Sequence, residues 1–245
     1  MTQFRLILEY DGTNYSGWQL QSGQDSIQAR LESALGQLFG SQLRVNGAGR
    51  TDAGVHALGQ VAVFRAPRSF DCAELQRALN AILPPDIAVR DASVASDDFD
   101  PRRAARSRVY EYRILTRATR SAFEYRYAWL VREPLDLEAM NCAAAQFLGE
   151  HDFAAMRSVG SDEKTTVRRV YKSDWCRHDD DRLIYRVEAT AFLRHMVRTM
   201  VGLMVAIGMH RLADDEVSAL LESRDRSRAP AAAPPCGLFL VEVRY

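Results

Sequence analysis

The segment of this chain best suited to chemistry is VNGAGRTDAGVHALGQV, residues 45–61. A single carboxylate, Asp52, stands among Gly47, Gly49, Gly54 and Gly59, with Arg50 two residues before it. Glycine lets a backbone come close to a bulky ligand. A carboxylate on such a loop can serve as nucleophile or general base, provided that it stays ionised in a cleft sheltered from water. A neighbouring guanidinium favours the ionised form and lowers a carboxyl pKa by about 1–3 units. The competing role for Asp52 is an Asx turn, with Arg50 facing solvent. Two phosphate-cradle readings fail on particular residues. A dinucleotide loop needs GxGxxG, but the third position after Gly49 is Asp52; a P-loop needs GxxxxGK[ST], but Gly54 is followed by Val55 and His56.

Strands must hold this loop, and residues 42–46 and 59–65 read as those strands. Before them, 3–10 is apolar and aromatic enough for a strand, and DGTNYSGW follows as a turn-rich loop. Residues 26–39 place Ile27, Leu31, Leu35 and Leu38 at helical spacing behind a cap at Asp25 or Ser26. A second helix spans 72–82, with Asp71 and Glu74 at its start, and Leu75, Leu79 and Ile82 on one face. Pro84 and Pro85 end it, and strand 87–94 follows. The polar stretch 95–106 is the best candidate junction, dividing the chain into domains 1–104 and 105–245.

In the second half, 107–115 alternates and puts Tyr110, Tyr112 and Ile114 on one face. Residues 123–131 read as a strand, and helix 137–148 is capped by Asp136 and stopped by Gly149. Strands 165–176 and 182–191 flank an HDDD turn. An apolar helix over 193–208, a short helix over 214–223, an APAAAPP loop and a last strand, GLFLVEVRY, complete the pattern. This order predicts an α+β fold with a largely antiparallel sheet, helices on one side and an open face for a ligand.

Composition narrows the function classes. Of 245 residues, 47% are apolar and 26% charged, which excludes a disordered chain. The longest apolar run, residues 199–209, is half of the roughly 20 residues that a membrane span needs. The first ten residues lack the basic-then-apolar pattern of a signal peptide, so a cytoplasmic protein is expected. Cys72, Cys142, Cys176 and Cys236 are too scattered for a zinc or redox pair, and buried reduced thiols are expected. Net charge is zero, but it is unevenly spread. Residues 101–132 hold nine Arg against Glu111 and Glu124, and 182–198 hold four Arg against Glu188, while 1–100 carry a net of −4. Thirty of the 32 basic residues are Arg, which GC-rich codons alone could produce, but the clustering in 101–132 is the footprint that attracts phosphate.

The segment GRTDAGVHA, residues 49–57, resembles the signature of the TruA family of tRNA pseudouridine synthases. YDGTNYSGWQ at 10–19, RVYEYRI at 108–114, GEHDF at 149–153, FLRHMVRTMVG at 192–202 and GLFLVEV at 237–243 resemble further motifs of that family, in order and along the whole chain. Only 178–181 and 224–236 match nothing.

The resemblance implies a pseudouridine synthase-like α+β fold of two α/β subdomains around a central basic cleft, the second completing the active site begun by the Asp52 loop. It implies an isomerase that converts uridine to pseudouridine at positions 38, 39 and 40 of the tRNA anticodon stem-loop, as a homodimer and with no metal, nucleotide or redox cofactor. By carry-over, Asp52 matches the catalytic aspartate. Tyr110 matches the tyrosine that stacks on the target base and helps remove the C5 proton, and its strand would let it point to the open face; the competing role is a core tyrosine. Arg198 matches an arginine near the nucleophile. Within so apolar a helix an Arg is costly unless paired, so Asp52 is its expected partner, and helical spacing puts Arg194 on the same face. Arg50 is expected to help extrude or hold the flipped nucleotide. Tyr112 is expected in the core, and His195 in packing or a hydrogen bond.

Two other classes compete. An RNA-binding module without catalysis shares the basic stripe but does not require Asp52, Arg50 and Arg198 to converge. A small-molecule lyase or hydrolase using a lone carboxylate leaves the stripe unexplained.

Overall fold

A computed structural model describes residues 1–158 and 165–245. The described chain forms two compact units, Met1–Arg106 with Phe239–Tyr245, and Ser107–Leu238.

The first unit is an α+β layer. Strand β1 (Thr2–Tyr10) pairs antiparallel with both β3 (His56–Ala66) and β4 (Ile87–Val94). The short β2 (Val45–Gly47) adds to β3, and β10 (Leu238–Arg244) runs parallel to β3 with Phe239 opposite His56. Phe4, Leu6 and Leu8 alternate into the core from β1, as period-two patterning requires. Helix α1 (Ile27–Phe39) begins at Ser26, whose side chain accepts from the Ala29 amide, and ends at Gly40 in the left-handed region. Helix α2 (Cys72–Ile82) is capped by Asp71 accepting from the Glu74 amide, and packs on β4.

The second unit is built on an antiparallel sheet in the order β5 (Ser107–Leu115), β9 (Arg182–Ala189), β8 (Val167–Asp179), β7 (Gly149–Asp152). The two-residue β6 (Trp129–Leu130) lies parallel to β5. Helix α3 (Leu137–Ala145), capped by Asp136, packs on β8 and on α4 (Met196–Gly208); α5 (Glu216–Ser223) follows.

Four local expectations change. Residues 121–127 do not continue a strand; they form a turn before β6, because the Ser121 hydroxyl accepts from the amides of Phe123 and Glu124. Helix α4 begins at Met196 and not at 193, because His195 sits at its N-terminus with φ 65°. Arg194 therefore lies outside the helix, and helical spacing does not put it on one face with Arg198. Helix α3 ends at Ala145 and not at 148, and strand β7, absent from the expected order, begins at Gly149. Cys142 and Cys176 are exposed, not buried, and all four cysteines are free thiols. No described helix is long and apolar enough to cross a membrane.

Candidate active site

Asp52 lies on the connection between β2 and β3, and the first loop of the chain is hydrogen-bonded to that connection on both sides of Asp52. The Trp18 amide donates to the Thr51 carbonyl at 3.1 Å, and the Gly54 amide donates to the Tyr15 carbonyl at 3.4 Å. Thr51 and Tyr10 share a buried hydroxyl–hydroxyl hydrogen bond of 2.8 Å. Burial pushes the Tyr10 phenol up to about 12, so it stays protonated in this bond. Gln60 on β3 donates to the Gly49 carbonyl at 2.8 Å, and the Val55 amide closes the turn on the Asp52 carbonyl at 3.1 Å. The backbone on either side of Asp52 is thus fixed before any ligand arrives, the preorganisation that a reacting carboxylate needs.

Two glycines make this grip possible. A Cβ on Gly12 would stand 2.0 Å from the Val55 carbonyl oxygen, and one on Gly17, at φ +92°, would stand 2.5 Å from the Thr51 carbonyl oxygen. Both sit in the DGTNYSGW loop, whose part in holding Asp52 was not legible from its turn-forming composition alone. His56, buried at the start of β3, stacks on Phe239 with ring centroids 4.7 Å apart, and its Nδ1 lies 3.1 Å from both the Gly12 amide and the Asp11 carboxylate. Asp52 itself is half-buried and Arg50 is exposed.

The other two expected site residues belong to the second unit. Tyr110 on β5 is only 8% exposed and meets the Phe192 ring edge-on at 5.0 Å. Its face is not open along its length: Tyr112 and Ile114, two and four residues on, have no solvent exposure. Tyr112 is a core tyrosine as expected. Its hydroxyl donates to the Pro234 carbonyl at 2.8 Å, and burial drives its pKa well up.

Arg198 projects from the first turns of α4. Its Nε donates to the Ala233 carbonyl at 2.7 Å, and the Ala233 amide returns a bond to the Arg198 carbonyl at 2.9 Å. The proline-rich stretch 224–236, which matched no motif, thus supplies the carbonyls that hold Arg198 and Tyr112. Pro234 is extended at φ −53°, ψ 146°, a conformation that leaves its carbonyl outside any backbone ladder and open to a side chain.

Several arginines of the basic stripe are engaged by groups of the fold itself. Arg108 donates to the Thr190 carbonyl at 2.8 Å. Arg113 and Arg186 lie 3.7 Å from Glu111, and Arg117 lies 3.5 Å from Asp181. The exposed members are Arg102, Arg103, Arg106, Arg120, Arg126 and Arg132. Among the described residues no group of His, Cys, Asp and Glu is arranged to hold a metal ion.

Comparison with known proteins places the chain. The profile of the family described as tRNA pseudouridine synthase matches residues 6–102 and 143–245, so the chain belongs to that family of isomerases. The first matched segment contains the Asp52 loop and the second contains Arg198; Tyr110 falls in the interval between them. A tRNA pseudouridine synthase A of Myxococcus xanthus is 46% identical over 245 residues, covering 100% of this chain and 92% of its own. One from Geotalea uraniireducens is 44% identical with full coverage of both chains. Among solved structures, an archaeal box H/ACA Nop10–Cbf5 complex aligns over 84% of this chain and 44% of that chain, at 10% identity and a TM-score of 0.39.

Proposed function

We propose that this protein converts uridine to pseudouridine at positions 38, 39 and 40 of the tRNA anticodon stem-loop, with Asp52 as its catalytic residue. The observation that carries the reading is a carboxylate on a loop clamped on both sides, in a chain 46% identical over its whole length to a tRNA pseudouridine synthase A.

The reaction exchanges one glycosidic bond for another. The C1′–N1 bond of uridine breaks, the uracil turns, C5 bonds to C1′, C5 gives up its proton and N1 gains one. Atoms balance within the substrate and solvent protons, and no external oxidant or group donor enters. Whether its target is the sugar carbon, the base or a sugar proton, Asp52 acts through a carboxylate lone pair within about 3 Å of that target. Arg198 is the cation proposed to pair with it, held by its bond to Ala233. The Tyr110 ring stacks on the turned base and helps to take the C5 proton. Arg50, exposed on the same loop as Asp52, holds the nucleotide out of its stack. In this reading the first unit contributes the Asp52 loop, and the second contributes Tyr110 and Arg198. RNA recognition through backbone and shape lets one site serve three neighbouring positions. The working form is a cytoplasmic homodimer.

The test is tritium release from C5-labelled uridine in tRNA. Asp52→Asn and Asp52→Ala should lower turnover by about 10⁴-fold or more while tRNA binding survives. Full turnover by either variant removes Asp52 from the chemistry. Turnover of free uridine with indifference to tRNA would favour a small-molecule enzyme. Sedimentation of the purified protein checks the dimer.

A further inference from the structure

The turn between β5 and β6 displays two largely exposed aromatic rings. Phe123 is 88% exposed and Tyr125 is 55% exposed. An exposed ring on a mobile loop would mean little, but this turn is anchored at both ends. The buried Ser121 hydroxyl accepts from the Phe123 amide at 3.3 Å and the Glu124 amide at 3.1 Å. The Glu124 carbonyl accepts from the amides of Tyr127 and Ala128, and its carboxylate is tied to Arg182 at 2.9 Å. Cations stand on both sides. Arg120 is exposed three residues before Phe123, and the Arg126 guanidinium lies 5.3 Å above the Tyr125 ring while its Nε donates to the Tyr125 hydroxyl at 2.7 Å.

From this geometry we infer that residues 120–126 form a stacking platform for an unpaired base of the bound RNA, with Arg120 and Arg126 meeting the flanking phosphates. The inference rests on the tRNA reading above and deepens it, by naming a second place where the RNA is gripped. A flat apolar ring flanked by guanidinium groups is complementary to a base with a phosphate on either side. Stacking on such a ring tolerates any base, because every base has a π face. A second copy of this chain suits the turn less well. Two aromatic side chains offer at most about 300–500 Å², against the roughly 800 Å² per partner that a stable protein interface buries.

The experiment measures tRNA affinity by filter binding over a range of salt, with sedimentation of the same samples. Phe123→Ala should weaken binding about tenfold or more, and Phe123→Leu should weaken it nearly as much, since it keeps apolar area but not the π face. Phe123→Trp should bind as the wild type does, and its added indole should be quenched by tRNA. Arg120→Ala should lower the slope of log affinity against log salt by about 0.7, one single-strand phosphate contact. Val94→Ser, at another exposed apolar residue, in the first unit, is the control. Wild-type affinity in Phe123→Ala, or full rescue by leucine, overturns the platform. So does a shift from dimer to monomer with unchanged tRNA affinity, which would assign the rings to a second copy. Failure of the wild type to bind tRNA would remove the underlying reading and the platform together, whereas tight wild-type binding with an indifferent Phe123→Ala removes the platform alone.

Discussion

Gly12→Ala is the sharpest test of the idea that the first loop positions Asp52. The added Cβ would stand 2.0 Å from the Val55 carbonyl oxygen and 2.7 Å from its carbon, where real contacts do not fall below 3.0 Å. The obstacle is backbone, so no side-chain rotation relieves it, and the Val55 peptide must retreat by about 1 Å. Val55 is buried, and its amide closes the turn on the Asp52 carbonyl at 3.1 Å, so the displacement passes straight to residue 52. A misplacement of about 1 Å at a reacting group costs on the order of 10²-fold in rate. Overpacking of this kind also costs about 1–3 kcal/mol, or roughly 2–12 °C in melting temperature for a chain of this size. We expect tritium release to fall about a hundredfold in protein that still melts cooperatively and still binds tRNA. Gly23→Ala separates clash from backbone strain: Gly23 has φ +71° and nothing within 4 Å of its added Cβ, so the variant loses stability, about 1–2 kcal/mol, but not turnover. Turnover by Gly12→Ala within twofold of the wild type would show that the loop does not set the position of Asp52.

Other perturbations test other parts of the site. Tyr10→Phe leaves the buried Thr51 hydroxyl without its 2.8 Å partner and should cost about 1–3 kcal/mol by denaturant titration; an unchanged midpoint would show that the bond is immaterial. Tyr110→Phe should keep tRNA affinity and slow turnover by about 10²-fold, as loss of a proton-transfer group does; wild-type turnover would confine Tyr110 to stacking. Arg198→Lys keeps a charge but not the Nε bond to the Ala233 carbonyl, and its turnover should fall between that of the wild type and that of Arg198→Met; equal turnover in all three refutes a role for Arg198. Burial raises the Tyr10 pKa from 10.0 to about 12, so the folded state holds a proton that the unfolded state releases. That stability is fully present below pH 10 and is lost as pH rises towards 12, with Tyr112 and Tyr185 adding in the same direction. Tyrosinate absorbance should therefore rise together with loss of circular dichroism, and ionisation of these tyrosines in folded protein near pH 10 would contradict their burial.

Much of the fold was readable because local signals agreed with one another. Helix α2 and strand β4 fall on the residues expected, since the Asp71 cap, the apolar face and the Pro84–Pro85 stop all favour the same boundaries. Where the reading failed, one local interaction outweighed a pattern. Residues 123–131 have strand-like composition, but the Ser121 hydroxyl takes the two amides that a ladder would have used. The apolar run after Leu193 looks helical from its start, but His195 turns into the left-handed region and delays the helix to Met196. At the site, the residue types of the Asp52 loop were legible and its supports were not. A bond from Tyr10 to Thr51, or from Arg198 to a carbonyl in a proline-rich loop, joins residues 41 and 35 apart, and no periodicity encodes such separations.

The arginines show how a neutral chain can serve an anionic partner. A surface that only needed positive charge could use lysine, whose ammonium is a point charge on a flexible stem. Here the same residue type does two kinds of work within one stretch. Arg108 and Arg113 are drawn into the second unit by a carbonyl and a carboxylate, and desolvation lowers the Arg113 pKa without threatening its charge, because guanidinium starts so high. Lysine at that position would risk losing its proton. Arg120 and Arg126 stay in solvent beside exposed rings. The charge count of 101–132 therefore overstates the field that an RNA meets, and the salt dependence of binding should reflect the exposed arginines rather than all nine. Replacing Arg108 or Arg113 should lower stability and leave the salt slope alone, whereas replacing Arg120 should do the reverse. This contrast separates a basic groove from a basic sequence.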